Sequence, residues 1–560
     1  MLRIEWGLAF FAIIVAAIYP SFCANWLGRA EGAFGRLSQR RGLSVLVVAL
    51  AALGLRLALL PIFPIPEPIV HDEFGYLLAA DTFAHGRLTN PTHPMWEHFE
   101  TFSVIQKPTY QCFAQPAQGM LLAFGKLVLG HPFWAVLLSV GLMCGAITWM
   151  LQGWLSPGWA LLGGALAILR YGTLSYWANS YWGGAVAAIG GALVIGALPR
   201  IKSFHRSRYA WLMGIGLALL VNSRPYEGFV LSIPVAGALF VWMLGKNRPE
   251  INISLRRVVL PLTMVLSLTA CGLCYYLWRV TGSPFRMPYQ IERETYAVAP
   301  YLIWQHTRPE PVYHHAAMEK MYVQEELVGY NFFRSPAGFI GKLYLGWRFY
   351  LGPALALPFL MLPLALPRDF SLRKIERSTA FVVITLAIFA AGSALEGSYH
   401  AHYSAPVTGL ILAAVLLAMR QLRAWSPAGA FTTRAILIIC VLTFGLRLAA
   451  APLRIPLSEF YGFAWHQKGP ENFPRAAIQK QLEQIPGKQL VIVRYQADHE
   501  PFAEWVYNDA DIDASKVAWA REMDSKEDQE LLRYFRDRQV WLLEPDQVPP
   551  KLSAYKAPGA

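Results

Sequence analysis

Apolar residues dominate this chain in long blocks that short polar segments separate. A helix of about 20 apolar residues crosses the hydrocarbon core of a bilayer, and about twelve blocks approach that length. The pattern therefore predicts about twelve membrane-spanning helices. The predicted spans lie near residues 5–26, 43–63, 132–152, 159–177, 181–198, 209–222, 229–244, 258–279, 351–366, 379–395, 404–419 and 435–451.

Two long polar loops, 64–131 and 280–336, interrupt the predicted spans. The first contains HDEFGYLLAADTFAHG (71–86), whose apolar residues share one helical face. This segment is too short and too polar to span a bilayer, and it predicts an amphipathic helix at the membrane surface. Further interfacial helices are predicted over 116–129 and 336–350.

The pattern changes after residue 451, where short runs with strand and helix character replace the apolar blocks. About 100 residues suffice for a small independent core. The sequence therefore predicts an all-α polytopic membrane domain over 1–451 and a small α/β domain over 452–560. The predicted strands of the second domain are 488–494, 517–520 and 539–543, and its predicted helix is 525–537.

The charged residues are few and unevenly placed. They make up 15% of the chain against 55% hydrophobic residues, which excludes a disordered chain and an ordinary soluble enzyme. The net charge is +13, but residues 452–560 hold 14 Lys and Arg against 17 Asp and Glu, which gives −3 there and +16 elsewhere. The positive excess lies in short loops between spans, at 28–42, 199–208, 245–257, 367–378 and 420–434.

This distribution is the positive-inside pattern of membrane proteins and not a nucleic-acid-binding patch. It places the five cationic loops in the cytoplasm, and it predicts no nucleic-acid partner. Alternation of the spans then puts loops 64–131 and 280–336 on the outer side, together with the domain at 452–560.

Two adjacent carboxylates, Asp72 and Glu73, open the predicted interfacial helix of the first outer loop. A carboxylate at the mouth of a helical bundle can take a proton from an attacking hydroxyl or bind a divalent cation. The pair can equally serve the fold, with Asp72 capping the helix and Glu73 adding a favourable dipole interaction. The sequence leaves both alternatives open.

Cations recur in the segments that the topology places outside. Lys107 follows in the same loop, Arg224 begins a span, and His400 and His402 fill a short turn beside Tyr403. Ionisable residues at membrane depth are costly and mark functional cavities by default. A carboxylate base surrounded by cations suits attack on a sugar that carries a phosphate leaving group.

Two further features have alternative interpretations. Arg224 is either a phosphate clamp or the ion-pair partner of Glu227, three residues later. His314 and His315 are adjacent, and adjacent residues on a helix do not face each other. The histidine pair is therefore predicted to lie on the surface and not to hold a metal.

Three segments resemble the GT-C superfamily of membrane glycosyltransferases, particularly protein O-mannosyltransferases and bacterial aminoarabinose-lipid A transferases. They are HDEFGYLLAADTFAHGRL (71–88), QKPTYQCFAQPAQGMLLAFG (106–125) and HAHYSAPVTGLILAAVLL (400–417). The hydropathy plan is similar over about residues 43–420.

The resemblance implies an enzyme that transfers a sugar, with inversion, from a polyprenyl-phosphate-linked donor to an acceptor hydroxyl at the outer face. The acceptor would be a lipid, a glycan or a protein. The similarity to bacterial relatives implies the bacterial inner membrane, with the active site and the C-terminal domain outside the cytoplasm. Some relatives bind a divalent metal ion near this site, and no other cofactor is implied.

Carried over by position, the resemblance implies that Asp72 is the catalytic base and that Glu73 supports it. Gln106 stands where aminoarabinose-type relatives often have an acid, so Glu97 or Glu100 would have to supply that carboxylate. The predicted donor-phosphate ligands are Lys107, Arg224, His400 and His402, and the predicted substrate contacts are Tyr76 and Tyr403.

A transporter or flippase of lipid-linked or polar substrates is the alternative function. It would use the same buried charges as a permeation path. Transporters often contain inverted repeats with broken helices in matching positions, and the sequence contains no such halves. The large outer loops favour chemistry at the surface.

Overall fold

The computed structural model describes residues 2–21, 24–245, 248–366, 371, 375–450, 453 and 474–555. Helices make up most of this part of the chain. In order they are α1 (Leu2–Ile18), α2 (Ala24–Gln39), α3 (Arg41–Ala58), α4 (His71–Ala84), α5 (Pro116–Leu129), α6 (Pro132–Leu151), α7 (Pro157–Ala167), α8 (Ala185–Phe204), α9 (Ser207–Val221), α10 (Pro225–Leu244), α11 (Ile251–Thr281), α12 (Pro288–Tyr296), α13 (Ala316–Glu319, continuing through Lys320–Glu326 and Leu327–Phe333), α14 (Pro336–Tyr350), α15 (Gly352–Ala365), α16 (Arg377–Ala394), α17 (Ala401–Trp425), α18 (Pro427–Ala450), α19 (Pro474–Glu483) and α20 (Ser525–Tyr534).

Each of the predicted spans coincides with one of these helices, which confirms an all-α polytopic domain. Within the described ranges, eight helices are long and apolar enough to cross a membrane. A ninth span results if α14 and α15, bent by 108° at their junction, count as one. The remaining predicted spans match α1, α7 and α9, which have 17, 11 and 15 residues.

Small residues allow the spanning helices to pack closely. Where α8 crosses α9, a Cβ added at Gly190 would lie 2.9 Å from the Gly216 carbonyl oxygen, and one added at Gly216 would lie 2.7 Å from that of Gly190. Glycine is therefore required on both helices at this crossing, as is common where membrane helices touch backbone to backbone.

Contacts join two pairs of the cationic segments, and much of the sequence predicted to be loop there is helical, since α2 occupies most of 28–42. Glu31 on α2 accepts hydrogen bonds from Arg423 on α17 and Arg434 on α18 at 2.9 Å. Arg257 donates to the His205 carbonyl at 3.2 Å, which joins loops 245–257 and 199–208. Most of loop 367–378 lies outside the described residues.

The helices predicted in these loops are present as α4, α5 and α14, and their placement at the membrane interface stays a prediction. Between α4 and α5, loop 64–131 forms a small antiparallel sheet in the order β1-β3-β2. Its strands are β1 (Asn90–Pro91), β2 (Val104–Ile105) and β3 (Thr109–Cys112).

The C-terminal domain is a small α/β unit, as predicted. Its sheet has the order β5-β4-β6-β7, with β4 parallel to both β5 and β6, and β7 antiparallel to β6. The predicted boundary at 451/452 lies outside the described residues. The strands are β4 (Lys488–Val493), β5 (Val517–Arg521), β6 (Arg538–Glu544) and β7 (Lys551–Ala554).

This domain packs directly on the outer loop. The ring of Phe74 on α4 stacks on Tyr507 with a centroid distance of 4.0 Å. The Asp81 carboxylate accepts the Ala510 backbone N–H at 2.9 Å, and the Tyr110 hydroxyl donates to the Asn508 carbonyl at 3.1 Å. Aromatic packing and buried polar contacts together fix the domain against α4.

We expect Tyr507→Ala to loosen this contact, because it removes a buried ring from the interface. Truncating a buried aromatic ring costs about 3 kcal/mol. The variant should show a lower melting temperature in detergent and faster proteolytic release of the C-terminal domain. Val548→Ala is the control, since Val548 is 98% exposed in the same domain; equal protease resistance of wild type and Tyr507→Ala would contradict the prediction.

Candidate active site

The start of α4 is held by the Glu73 carboxylate, which is completely buried. Its Oε2 accepts the backbone N–H groups of Ile69 at 2.9 Å and Val70 at 3.0 Å. Its Oε1 accepts the N–H of Tyr181 at 2.9 Å, 108 residues away in the chain. The helix-capping role that the sequence offered to Asp72 is therefore performed by Glu73.

Asp72 is half-buried and faces a different direction. Its Oδ1 accepts a hydrogen bond of 2.6 Å from the Ser103 hydroxyl. Gly75, one turn along α4, permits this approach, because a Cβ there would lie 2.8 Å from the Ser103 carbonyl oxygen. Asp72 lines two neighbouring cavities, and it is the carboxylate that a substrate in either cavity could meet.

The first of these, here named the arginine cavity, has a volume of about 450 Å³. Besides Asp72 and Tyr76, its wall contains the guanidinium groups of Arg224, Arg293 and Arg308. Glu227 and Glu396 line it as well, so three arginines share the wall with three carboxylates. Guanidinium groups at a cavity wall can bind an anionic ligand.

Arg224 forms the ion pair that was one of its two sequence interpretations, and the phosphate clamp stays a prediction. A nitrogen of its guanidinium lies 3.6 Å from a Glu227 carboxylate oxygen, which forms an ion pair at the start of α10. The guanidinium also lies 4.5 Å from the centre of the Tyr403 ring and lines the arginine cavity. The ion pair therefore orients a cation that remains at the cavity wall.

Arg293 lines both cavities, and sequence reasoning missed it. It lies on α12, where its guanidinium donates to the Glu326 carboxylate and to the Ala299 carbonyl. The guanidinium carbon is 5.4 Å from the centre of the Tyr301 ring. In the sequence, Arg293 is one charge among several in a polar loop, and only the return of that loop over α4 brings it to Asp72.

The second cavity, here named the aromatic cavity, has a volume of about 560 Å³. The C-terminal domain contributes Phe502 to it, and that ring lies 5.4 Å from the ring of His71. Aromatic walls suit sugar rings or acyl chains, which present apolar faces. The other aromatic rings in the wall are Phe102, Phe113, Trp182, Tyr301, Tyr322, Tyr330, Phe333 and Tyr403.

The histidine turn lies behind Asp72. His400 lines the aromatic cavity, and burial lowers its pKa to about 4 although the Asp72 charge opposes that shift. His400 is therefore neutral at pH 7. His402 is outside the lining residues, and its Nδ1 lies 3.0 Å from the Tyr176 hydroxyl. The two imidazole rings are parallel, with centroids 5.6 Å apart.

The structure thus brings together five of the eight predicted site residues, namely Asp72, Tyr76, Arg224, His400 and Tyr403. Glu73 and His402 lie one layer behind them. Lys107 is exposed, with its Nζ 3.8 Å from the centre of the Trp96 ring, and it does not line either cavity.

The carboxylates offered as substitutes at Gln106, Glu97 and Glu100, do not line either cavity. Glu100 accepts a hydrogen bond from the Tyr296 hydroxyl at 2.8 Å and contacts His314 Nδ1 at 2.7 Å. The expectation of a surface histidine pair is wrong for His315, which is 8% exposed with Nε2 2.7 Å from the Glu97 carbonyl. It is buried because the C-terminal domain covers this segment.

The residues around Asp72 do not match a metal site. Within the part of the chain that the structure describes, no group of three or more His, Cys, Asp or Glu side chains is arranged to hold a metal ion. Divalent cations such as Mg²⁺ and Ca²⁺ require several oxygen ligands. No step of the reaction proposed below is routed through a metal.

We expect Glu73→Ala to destabilise the fold more than Asp72→Ala does. Removing the Glu73 carboxylate leaves three backbone N–H groups without their acceptor, at a total cost of about 3 kcal/mol or more. Asp72→Ala removes only the Ser103 contact. Melting temperatures of the two variants in detergent test this, and equal losses would contradict the assignment of the cap to Glu73.

A second prediction concerns Glu292, which is buried in the wall of the aromatic cavity. Burial raises its pKa from 4.5 to about 7, and the nearby Glu326 carboxylate adds to the shift. The folded protein therefore holds a proton that the unfolded chain releases, and stability should fall as pH rises from 4.5 to 7.

Glu292→Gln removes this contribution, which is about 3 kcal/mol for the full shift. Between pH 5 and pH 8, the melting temperature of the variant should fall less than that of the wild type. Identical pH dependence of the two proteins would show that Glu292 does not hold the proton.

Similarity to known proteins is found among solved structures. No family model matches the sequence, and no curated protein matches it. The chain is similar to the oligosaccharyltransferase of Archaeoglobus fulgidus tethered with an acceptor peptide, with 13% identity and a TM-score of 0.49 over 90% of this chain and 68% of that chain. The same archaeal enzyme in complex with an inhibitory peptide and a dolichol-phosphate gives 13% identity and a TM-score of 0.46, over 90% of this chain and 69% of that chain.

The chain is also similar to ArnT from Cupriavidus metallidurans bound to undecaprenyl phosphate. Identity is 10% and the TM-score 0.44, over 89% of this chain and 92% of that chain.

Proposed function

We propose that this protein transfers a sugar from a polyprenyl-phosphate-linked donor to an acceptor hydroxyl, with Asp72 as the base. The observation that carries the proposal is the position of Asp72, which lines both the arginine cavity and the aromatic cavity. One carboxylate can then face the two reactants of a transfer reaction at once.

The arginine cavity supports binding of the donor phosphate. Arg224 and Arg293 offer guanidinium forks, which match the oxygen geometry of phosphate. Burial and the neighbouring Glu227 carboxylate raise the pKa of Glu396 well above its ordinary value, which weakens the opposition of Glu396 to these cations. The arginines of this cavity therefore suit a phosphate leaving group.

The aromatic cavity supports binding of the acceptor. Its rings can cover an apolar sugar face or an acyl chain while the acceptor hydroxyl reaches Asp72. The Ser103 hydroxyl already donates to Oδ1 of Asp72, which leaves Oδ2 to receive a proton. Lipid, glycan and protein acceptors all supply the hydroxyl that this chemistry needs.

The reaction is a single displacement at the anomeric carbon of the donor sugar. The acceptor oxygen forms a bond to that carbon while the bond between the carbon and the phosphate oxygen breaks. The acceptor proton passes to Asp72, and the bonding electrons leave with the polyprenyl phosphate, whose charge the arginines stabilise. Attack opposite to the leaving group inverts the anomeric configuration.

We also propose that this site lies at the outer face of a bacterial inner membrane. Asp72 is on the side of the fold that carries loops 64–131 and 280–336, whereas the cationic loops pair with one another elsewhere. The bilayer would present the lipid-linked donor to the arginine cavity, and the C-terminal domain would lie outside the cytoplasm.

The direct test is Asp72→Asn, which keeps the size of the side chain and removes its basicity. Profiling of lipid-linked sugars in cells with and without the gene first identifies the donor that accumulates. Transfer from that donor in membrane vesicles should then fall by about 100-fold or more in the variant, as expected for loss of a general base.

Glu67→Gln is the matched control, because Glu67 lies in the same outer loop and pairs with Lys480 away from both cavities. It should retain wild-type transfer. Full transfer by an Asp72→Asn protein with a normal melting temperature would refute the base assignment. Movement of the donor across the membrane without its consumption would instead identify a flippase.

A further inference from the structure

A third cavity, of about 380 Å³, lies between the C-terminal domain and residues 314–320 of the second outer loop. It shares no lining residue with the two cavities at Asp72. On the side of the domain, the carboxyl ends of the parallel strands β4 and β5 border it through Val493 and Arg521. This edge is where open α/β sheets commonly bind ligands.

Arg521 brings an unused hydrogen-bond donor to this cavity. The side chain is only 2% exposed. Its Nε donates to the Glu100 carbonyl at 2.7 Å and its Nη2 to the Glu504 carboxylate at 2.5 Å, whereas Nη1 has no hydrogen-bond partner. A guanidinium nitrogen can only donate, so the missing partner is an acceptor.

His499 brings a second unused nitrogen. It is 4% exposed, and its Nδ1 lies 2.6 Å from an Asp546 carboxylate oxygen, whereas Nε2 has no partner. The imidazole stacks on Tyr495 with a centroid distance of 3.9 Å, and the Arg521 guanidinium lies 5.3 Å from the centre of the same ring. Tyr495 therefore holds both side chains beside one space.

The charges of the lining residues favour an anion there. Lys320 adds a cation, which is positioned by hydrogen bonds from Nζ to the carbonyls of His499 at 2.8 Å and Asp498 at 3.1 Å. Glu522 is the one carboxylate among the lining residues, and Arg494 binds both of its oxygens. The lining therefore offers hydrogen-bond donors and positive charge, which a negatively charged ligand with several acceptor atoms would match.

We propose that this cavity is a second ligand site, which binds an oxyanion of the phosphate class. Arg521 Nη1 and His499 Nε2 donate to the oxyanion, and Lys320 supplies a further positive charge. The ligand is either free phosphate or the phosphate of a lipid headgroup. This site is separate from sugar transfer, so its test does not depend on the proposed function.

The test measures binding of inorganic phosphate to the full chain in phosphatidylcholine nanodiscs by calorimetry, with chloride as the competing salt. The wild type should bind phosphate saturably. His499→Asn keeps an amide donor toward Asp546 and removes the nitrogen at Nε2, and Lys320→Gln removes the cation. Each of these two variants should lower the affinity for phosphate about tenfold, which corresponds to the loss of one charged contact.

Lys526→Gln is the matched control, because it removes one positive charge from an exposed position at the start of α20. It should bind phosphate as the wild type does. Melting temperatures without phosphate identify any variant that fails to fold. If His499→Asn fails to fold, Lys320→Gln still tests the proposal. Absence of saturable binding to the wild type, or equal binding by wild type and both variants, would overturn the proposal.

A second arm distinguishes the two sources of phosphate. Binding is repeated in nanodiscs that contain phosphatidylglycerol, at about 0.5 M salt to screen the surface charge. If the site accepts the phosphate of an anionic headgroup, inorganic phosphate must displace phosphatidylglycerol and binds more weakly there than in phosphatidylcholine, whose own phosphate is paired with a choline cation. Equal affinity in both nanodiscs assigns the site to free phosphate. Either result upholds the proposed oxyanion site.

Discussion

Three backbone N–H groups that converge on the Glu73 carboxylate fix the geometry of the candidate active site. These hydrogen bonds join the first turn of α4 to the chain before α8. The buried carboxylate cannot turn elsewhere, because the three N–H groups would then lose their acceptor. Adjacent residues on a helix are about 100° apart. Locking Glu73 into the protein therefore turns Asp72 toward the cavities, where Ser103 holds it.

Burial then divides the charges around Asp72 by function. His400 stays neutral at pH 7 because burial penalises the imidazolium, and burial together with Glu227 raises the pKa of Glu396. Arg224 and Arg293 lie beside carboxylate partners. Arginine side chains line one cavity, and many aromatic rings line the other, to which Arg293 also contributes. These two environments suit the proposed phosphate donor and hydroxyl acceptor.

The C-terminal domain contributes side chains to the walls of the cavities. Phe502 enters the wall of the aromatic cavity, and Tyr507 stacks on α4 only two residues beyond Asp72. The same interface forms the cavity at Arg521 and His499, with residues 314–320 of the second outer loop as its other wall. Contacts between the two domains thus shape two of the three cavities described.

The sequence by itself determined the apolar helices of the predicted spans and their order. A backbone in lipid must satisfy its hydrogen bonds within each span, so apolar blocks can only be helices, and even the interfacial helices 116–129 and 336–350 have the predicted bounds. It also singled out the Asp72–Glu73 pair. Only the tertiary structure decided which carboxylate caps the helix, because Tyr181 is distant in sequence. The same reason explains why Lys107 lies on Trp96, why Arg293 lines both cavities and why His315 is buried: each position depends on a contact between segments far apart in the chain, which local pattern does not encode.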